Sequence, residues 1–301
     1  MQLKQLEIFV QVARLHSFSR AAEALYLTQP TVSAHMNALE EELGTRLVVR
    51  STKELRLTPP GQVLERYAAE ILGLCQLAEQ EVRTAAGAIA GTLSIAASTV
   101  PAQYLLPQAL PALRQRYPQV FFQVRQGDSS QVIQCMTENG AELGIVGAPT
   151  QRPGLLCVPF LTERLVIAVP NTPPYQRLEG NLTPQLLRTL PFLVREPGSG
   201  TRKQADQFLR SLGLEPQALN LAAQLESTES ILQGVKYGLG VSIVSQYAAR
   251  EEAAAGRILL FHWDSPLLER QFYLLYRRSA ALSPAAAMLL QELPSFYQNQ
   301  G

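Results

Sequence analysis

The fold of the N-terminal region is decided by residues 17–44, which read SFSRAAEALYLTQPTVSAHMNALEEELG. Apolar side chains recur in this stretch at the three- and four-residue spacing of an amphipathic helix, first as Phe18, Ala21, Ala22 and Leu25 and then as Val32, Met36, Leu39 and Leu43. The preceding residues show the same spacing at Leu6, Phe9, Val10 and Ala13. The pattern predicts three short helices.

The ends of these helices carry capping residues. Ser17 or Ser19 can cap the second helix and Thr28 the third, because a side-chain oxygen there can accept from a free N–H of the first turn. Pro30 falls in the first turn of the third helix, where its missing N–H costs little, and Gly44 ends that helix. Two helices joined by a tight turn predict a helix-turn-helix whose third helix can enter the major groove of DNA.

A small β-hairpin is predicted after the third helix. Two short β-prone runs, 46–49 and 55–57, flank the polar turn 51–54. Such a hairpin would be a wing whose basic side chains neutralise phosphates. The candidate DNA-binding residues therefore form two groups. The third helix contributes Gln29, Pro30, Thr31, Ser33 and Asn37, and all of these except Pro30 are candidate base readers. The wing and its margins contribute Arg46, Arg50, Lys53 and Arg56. Each part alone also fits a core helix or solvated arginines; the combination favours DNA binding.

A long helix is predicted from residue 61 to about residue 88. Its apolar residues repeat mainly every four or three positions, at Val63, Tyr67, Ile71, Leu74, Ala78, Val82 and Ala85. At 1.5 Å per residue the helix would be about 40 Å long. So long a helix with a narrow apolar seam is typical of a dimerisation rod.

Beyond residue 91 the pattern changes to alternating strands and helices. Strands are predicted near 93–97, 121–126, 143–146, 165–169, 192–194, 240–244 and 272–276, and helices near 109–116, 132–138, 203–212 and 228–237. Such alternation indicates an α/β domain with largely parallel sheets. Gly87 and Gly91, among other small residues, mark the hinge that precedes it.

Composition narrows the class of protein. A chain of 301 residues with 47% apolar content predicts at least two domains, and the 26 basic and 25 acidic side chains nearly cancel, so any DNA binding must come from a local patch. No stretch approaches the roughly 18 uninterrupted apolar residues of a membrane span, and no secretion signal is evident, so we expect a cytoplasmic protein. Three cysteines, Cys75, Cys135 and Cys157, are too few and too separated for a zinc cluster or a disulfide framework. Reduced thiols are expected, with a Cys135–Cys157 redox switch as the minor alternative.

The N-terminal residues closely resemble the LysR-type transcription regulators. The resemblance is carried by Phe9, residues 17–22, Leu25, residues 28–33 and 39–44, Arg46, Leu47, Arg50 and residues 57–61. It implies a mainly α winged helix-turn-helix head, a long linker helix that forms a dimer, and a two-subdomain α/β effector domain like a periplasmic binding protein. It also implies a homodimer or homotetramer on double-stranded promoter DNA. One departure is that Ala34 and His35 follow Ser33 where many members carry Arg and Gln.

The resemblance also sets the domain boundaries. The winged helix-turn-helix would span residues 1–59, the linker helix 60–90 and the effector-binding domain 91–301. Within the last, subdomain I would comprise 91–162 and 267–301, and subdomain II 163–266, joined by crossovers near 161–164 and 266–270. A ligand would lie in the cleft between the subdomains.

Two segments of this domain have the composition of an anion cradle at a helix start: residues 98–99, after a predicted strand, and the glycine-broken loop 195–202. Ordinary helix caps and turn glycines explain either segment about as well, but the two together in a cleft-forming fold favour a small anionic effector. The loop also resembles that of family members that sense small sulfur oxyanions. The candidate effector-binding residues are Ser98, Thr99, Gly147, Ser199, Gly200, Thr201 and Thr228.

Two other function classes fit less well. A free solute-binding protein would need export and would leave the N-terminal head unexplained. An enzyme is disfavoured because His16, His35 and His262 are widely separated and no G-x-S-x-G nucleophile motif is present. We therefore predict a regulator without catalytic residues, metal or cofactor.

Overall fold

The computed structural model describes residues 1–50, 55–85, 89–178, 182–278 and 280–299. The chain forms two compact units, Met1–Ala86 and Gly87–Gly301. The predicted wing turn with Lys53, and Gly87 of the predicted hinge, lie outside the described residues. In the part of the chain that is described, no helix is both long and apolar enough to cross a membrane.

The first unit contains the three predicted helices, the predicted hairpin and the long helix. The helices are α1 (Leu3–Leu15), α2 (Phe18–Ala24), α3 (Gln29–Leu43) and α4 (Pro59–Ala85), and the antiparallel strands are β1 (Val48–Arg50) and β2 (Leu55–Leu57). Their core buries apolar side chains from all three short helices, among them Phe9, Ala21, Val32, Met36 and Leu39. The helical periodicity of the sequence therefore predicted this core correctly.

The caps of these helices also follow the sequence. Ser17, rather than Ser19, caps α2, because its hydroxyl accepts from Arg20 N at 3.3 Å. Thr28 caps α3 by accepting from Thr31 N at 3.4 Å. Gly44 ends α3 in the left-handed region, with φ of 65°, which favours glycine.

Helix α4 has a covered face and an exposed face. Ala68 is buried, and Leu64, Ile71 and Leu72 pack against the core of the head. Ile71 of the predicted seam thus packs on the head while staying partly exposed, and its place in a dimer seam stays a prediction. Four other members of the seam are about half or more exposed: Val63 at 52%, Tyr67 at 51%, Leu74 at 59% and Val82 at 73%.

The second unit is a mixed α/β domain. Its strands are β3 (Gly91–Ser98), β4 (Val120–Gly127), β5 (Leu143–Val146), β6 (Leu155–Pro170), β7 (Phe192–Arg195), β8 (Leu221–Leu225), β9 (Ser242–Ser245), β10 (Ile258–Phe261) and β11 (Glu269–Arg277). Its helices are α5 (Leu106–Arg116), α6 (Ser129–Thr137), α7 (Pro173–Gln176), α8 (Pro184–Thr189), α9 (Gly200–Ser211), α10 (Thr228–Lys236), α11 (Gln246–Ala254) and α12 (Pro284–Gln298). A π-helical turn, Pro101–Leu105, precedes α5, and 3-10 turns occupy Pro216–Ala218 and Pro266–Leu268.

Two long strands carry the chain between two lobes. Lobe I is built on β3, β4 and β5 with α5, α6 and α12, and lobe II on β7 to β10 with α7 to α11. Strand β6 pairs with β11 over its first part and with β9 and β10 over its second. Where β6 and β11 run between the lobes, Arg270 of β11 lies opposite Glu163 of β6, within the segments predicted as crossovers. The subdomain boundaries themselves stay a prediction.

The expectation of largely parallel sheets was wrong. Strand β3 is parallel to β4 and β5, and β7 to β8, but β6 and β11 run antiparallel to each other and to every other partner they have. The physical reason is that the chain leaves lobe I along β6 and returns along β11, so the two passages pair in opposite directions. The resulting sheet has the order β10-β6-β11-β5-β3-β4, with β9 also on β6.

Candidate nucleic-acid interface and effector pocket

Helix α3 presents a polar outer face beside its buried face. Gln29, Pro30 and Asn37 are exposed, while Thr31 and Ser33 are partly buried near the start of the helix. The Thr28 and Thr31 hydroxyls lie 2.8 Å apart. All five candidate residues of this helix therefore lie off its buried face, on a short, well-capped element.

The wing places basic groups next to this helix in the same unit. Strands β1 and β2 pair through Val48 with Leu57 and Arg50 with Leu55, and the Arg56 side chain between them is exposed. The side chain of Arg50 lies outside the described part of the chain, as does Lys53. The wing assignment of both residues therefore rests on the sequence and on the position of the strands.

A buried carboxylate that sequence reasoning missed fastens the wing to α3. Glu40 is 5% exposed and accepts from Leu47 N at 2.7 Å, from Val48 N at 3.2 Å and from Arg46 Nη1 at 2.8 Å. Burial acts to raise the pKa of Glu40, but these hydrogen bonds outweigh it and lower the pKa. Arg46, a candidate phosphate contact, is thus also one of the groups that hold the start of the wing.

The candidate effector residues meet at one place in the second unit. Six of the seven line a single cavity between the lobes: Ser98, Thr99, Gly147, Ser199, Gly200 and Thr201. The other lining residues are Val100, Asp128, Ser129, Arg195, Arg270 and Phe272. The seventh, Thr228, lies directly behind them, with its hydroxyl 3.3 Å from that of Thr99. Residues from the ends of β3, β5 and β7 and from the starts of α6, α9 and α10 therefore converge at one cavity.

Arg195 joins the two lobes at this cavity. It is 4% exposed and donates from Nη1 to Thr99 Oγ1 at 3.0 Å and to Thr228 Oγ1 at 2.7 Å. Its Nε and Nη2 donate to both carboxylate oxygens of Glu196, at 2.8 and 2.7 Å. The end of β7 is thereby tied to the end of β3 and to the start of α10.

Arg270 also lines this cavity and has a different set of partners. It is 8% exposed, pairs with Glu163, and donates from Nη1 to Thr201 Oγ1 at 3.0 Å. Its guanidinium lies over the ring of Phe272, 5.2 Å from the ring centre. A Cβ on Gly147 would stand 3.2 Å from Arg270 Nη1, so glycine at this position leaves the guanidinium its space.

The cavity combines hydroxyl groups, helix starts and guanidiniums, which is the donor set that oxyanions and carboxylates prefer. The sequence predicted the hydroxyls and helix starts, and its candidate effector-binding residues included no cation. The structure adds Arg195 and Arg270, whose signal in the sequence was only their place at a strand end and at a crossover. The cavity has a volume of about 10 Å³, about the space of one water molecule, so a larger ligand requires the lining side chains to rearrange.

Other chemistry finds little support among the described residues. Within that part of the chain, no group of three or more His, Cys, Asp or Glu side chains could hold a metal ion. Cys75, Cys135 and Cys157 are free, partly buried thiols. Cys135 and Cys157 both pack at the edge of one apolar cluster of lobe I, and a redox role for them stays an untested alternative.

Comparison with known proteins covers both units. The family described as "Bacterial regulatory helix-turn-helix protein, lysR family" matches residues 3–62, and the "LysR substrate binding domain" matches residues 86–297. A RuBisCO operon transcriptional regulator of Acidithiobacillus ferrooxidans is 31% identical over 97% of this chain and 93% of its own. The two matched regions correspond to the two compact units.

Solved structures share the fold of this chain. A full-length OxyR variant from Pseudomonas aeruginosa covers 98% of this chain and 94% of its own, with a TM-score of 0.73 and 24% identity. The regulatory domain of CcmR from Synechocystis PCC6803, in complex with 2-PG, covers 69% of this chain and 98% of its own, with a TM-score of 0.62 and 26% identity. The second likeness is confined to the unit that contains the cavity.

Proposed function

The chain belongs to the LysR family of transcription regulators, and on that premise we propose that it binds promoter DNA through α3 and the wing under the control of a small anion bound between its lobes. The observation that carries the proposal is the meeting of seven candidate residues and two buried guanidiniums at one cavity. A cavity so lined favours a ligand with several acceptor oxygens over an apolar one.

The DNA-binding part of the proposal rests on the first unit. The outer face of α3 offers amide and hydroxyl groups at Gln29, Thr31, Ser33 and Asn37, which suit base edges, with Pro30 beside them. Arg46, Arg50, Lys53 and Arg56 belong to the wing or its margins and suit phosphates. We assign the first group to sequence preference and the second to affinity that falls with salt.

The effector part of the proposal rests on the second unit. At the cavity, Thr201 is hydrogen-bonded to Arg270, and Thr99 to Arg195. The CcmR regulatory domain, which has the same fold at 26% identity, was solved with the small molecule 2-PG bound, which supports a small ligand for this domain as well. We propose that the ligand is bound without being converted, and that the protein acts in the cytoplasm, where the promoters are.

Assembly into a homodimer, or a tetramer built from dimers, would cover the exposed face of α4. Val63, Tyr67, Leu74 and Val82 expose apolar surface along one helix, and such surface on a two-domain chain is typical of an interface. Closing or parting of the lobes would then change how the two heads are spaced on their half-sites.

The test is calorimetry on the full chain with sulfate, sulfite, phosphate and small carboxylates, followed by DNA binding in the presence of whichever anion binds. We expect saturable binding of at least one anion and a change in promoter affinity or in footprint length when it is bound. Absence of saturable binding by every anion would contradict the effector assignment, while DNA binding that any unrelated duplex competes away equally would contradict the regulator assignment.

A further inference from the structure

The two buried guanidiniums of the pocket differ in how many N–H donors are already used. Arg195 uses all five: Nε and one Nη2 N–H donate to Glu196, the Nη1 pair to Thr99 and Thr228, and the second Nη2 N–H to the carbonyl of Glu226. Arg195 therefore fastens structural elements together, and a ligand could recruit it only by breaking one of these bonds.

Arg270 has fewer of its N–H donors in use. Its Nε and Nη2 pair with Glu163, and its Nη1 donates to Thr201. Among the described residues these three contacts use three of the five N–H groups of a guanidinium, which leaves about two. Arg270 also lines the cavity, whereas Glu163 does not. An anion entering the cavity would therefore find its available cationic donors on Arg270.

We propose, on the basis of the anion-binding function above, that Glu163 is an internal counter-anion of the pocket: it balances Arg270 in the ligand-free protein and takes up a proton when an external anion binds Arg270. Glu163 is a positioning residue in this scheme, because it acts through Arg270 and does not touch the ligand. Its proton uptake makes the affinity of the pocket depend on pH even for an anion that does not titrate.

The surroundings of Glu163 support this assignment. Its side chain is 0% exposed, and its two oxygens are held by Arg270 and by the hydroxyl of Ser245. Burial raises the pKa of Glu163, and the charge of Arg270 and the hydrogen bond from Ser245 oppose that rise. An anion bound to Arg270 weakens the lowering effect of the Arg270 charge on Glu163. The pKa of Glu163 therefore rises further, and Glu163 binds a proton.

The other charged or titratable groups around Glu163 do not replace Arg270. Tyr247 of α11 has its pKa raised by burial and by Glu163, and Arg250 of the same helix partly offsets this, so Tyr247 stays neutral near neutral pH. Arg164, the next residue of β6, pairs instead with Asp264 and Glu269. Among the described residues, Arg270 is therefore the cation in direct contact with Glu163, and an anion that shares its charge leaves Glu163 less compensated.

The experiment is calorimetric titration of the full chain with sulfate between about pH 6 and pH 8, where sulfate keeps its charge, in two buffers of different ionisation enthalpy. We expect uptake of up to about one proton per anion, and an affinity that falls by up to tenfold per pH unit over part of this range. If sulfate does not bind, the same series is run with the strongest-binding anion of the preceding screen, and its own titration is subtracted.

Three variants separate the counter-anion from a general charge effect. Glu163→Gln should bind the anion more tightly than the wild type at the upper end of the pH range and lose the proton uptake. Glu269→Gln, which removes an exposed carboxylate near the same crossover, should keep the wild-type pH profile. Ser245→Ala keeps Glu163 but removes one hydrogen bond to its carboxylate, so it should move the fall in affinity to higher pH.

Proton uptake that persists in Glu163→Gln, or sulfate binding by the wild type with no proton uptake in either buffer, would overturn the proposal while leaving the anion pocket in place. If Glu163→Gln does not fold, an unchanged pH profile in Ser245→Ala serves the same purpose. Loss of anion binding in the wild type would instead remove the proposed function on which the inference rests.

Discussion

The backbone of Gly198 in lobe II lies directly against the carboxylate of Asp128 in lobe I: a Cβ built on Gly198 would stand 2.2 Å from Asp128 Oδ2. Asp128 is held there as the cap of α6, because its Oδ1 accepts from Gln131 N at 2.8 Å and its own N–H donates to Gln131 Oε1 at 2.8 Å. The closed arrangement of the pocket therefore depends on a residue without a side chain at position 198.

The first prediction is that Gly198→Ala hinders closure and weakens anion binding. Overpacking of this kind typically costs about 1 to 3 kcal/mol, which corresponds to a loss of affinity of roughly 5- to 150-fold. Calorimetry with the anion that binds the wild type measures the loss. Asp128→Ala in the Gly198→Ala background restores the space and should recover part of the affinity; additive losses in the double variant would show that the two residues do not meet on closure.

A second prediction separates the phosphate contacts of the wing from the base contacts of α3. Arg50→Ala or Arg56→Ala should weaken binding to all duplexes alike and lower the slope of log affinity against log salt by roughly one unit, because each would remove one phosphate contact. Asn37→Ala should instead change which sequences are selected from a random pool. Fluorescence anisotropy over a salt series checks the wing, and an unchanged slope in both arginine variants would contradict it.

The third prediction is that α4 pairs two chains through its exposed face. Tyr67→Glu with Leu74→Glu should give monomers with poor promoter affinity, because both side chains are more than half exposed in the single chain. Light scattering reports the oligomeric state. Leu72→Ala is the matched control: since Leu72 packs on the core of the head and is not part of the predicted seam, it should lower stability without dissociating the oligomer. An intact oligomer in the double variant would refute the assignment.

A fourth prediction uses the buried carboxylate under the wing. The pKa of Glu40 is lowered in the folded protein, so its contribution to stability is present above its unfolded pKa and is lost as pH falls through the folded value. Glu40→Ala leaves the N–H groups of Leu47 and Val48 without their acceptor, which should cost about 2 to 3 kcal/mol near neutral pH and less in acid.

Two optical signals make this measurable in the full chain. Trp263 is the single tryptophan and lies in the second unit, so its fluorescence reports urea unfolding of that unit alone. Far-UV circular dichroism follows both units. We expect Glu40→Ala to move the circular-dichroism transition of the helical head and to leave the Trp263 transition in place; a variant as stable as the wild type at every pH would show that the carboxylate is dispensable.

How much could be predicted from the sequence depended on how far apart in the chain the interacting residues lie. Helices α2 and α3 were predictable because Ser17, Thr28 and Gly44 act on N–H groups or turns within four positions of themselves. The partial cover of Ile71 by the head could not be predicted, because periodicity marks an apolar face without saying which part of it another element covers.

The residues of the cavity show the same dependence on their separation along the chain. Its hydroxyls and glycines could be found because each follows a strand or starts a helix, and such positions gather at one edge of an α/β fold. The charged pairs could not: Glu163 and Arg270 are 107 positions apart and meet only because β6 and β11 cross between the lobes side by side. The first part of β6 was also missed, since its residues lack a continuous buried run.

The last prediction concerns Thr201, which lies at the start of α9 and lines the cavity beside Arg270. Its hydroxyl oxygen accepts from Arg270 Nη1 at 3.0 Å, so its proton is free to be donated to a ligand in the cavity. Thr201→Val keeps the shape of the side chain and removes both functions. A bound anion then loses one hydrogen bond, and Arg270 loses the contact that fixes its Nη1 edge toward the pocket; together these should weaken binding by about 1 to 3 kcal/mol.

Calorimetry with the anion selected in the first screen decides the case. Thr189→Val is the matched control, because Thr189 is an exposed residue of α8 whose hydroxyl donates to the carbonyl of Leu186 at 2.8 Å, outside the cavity. It should bind the anion as the wild type does. Since Thr201 is 7% exposed, a loss of affinity counts only if the melting temperature of the ligand-free variant stays near that of Thr189→Val. Equal affinity of Thr201→Val and the wild type would place the anion away from the start of α9, and the pocket would have to be reassigned to its Thr99 side.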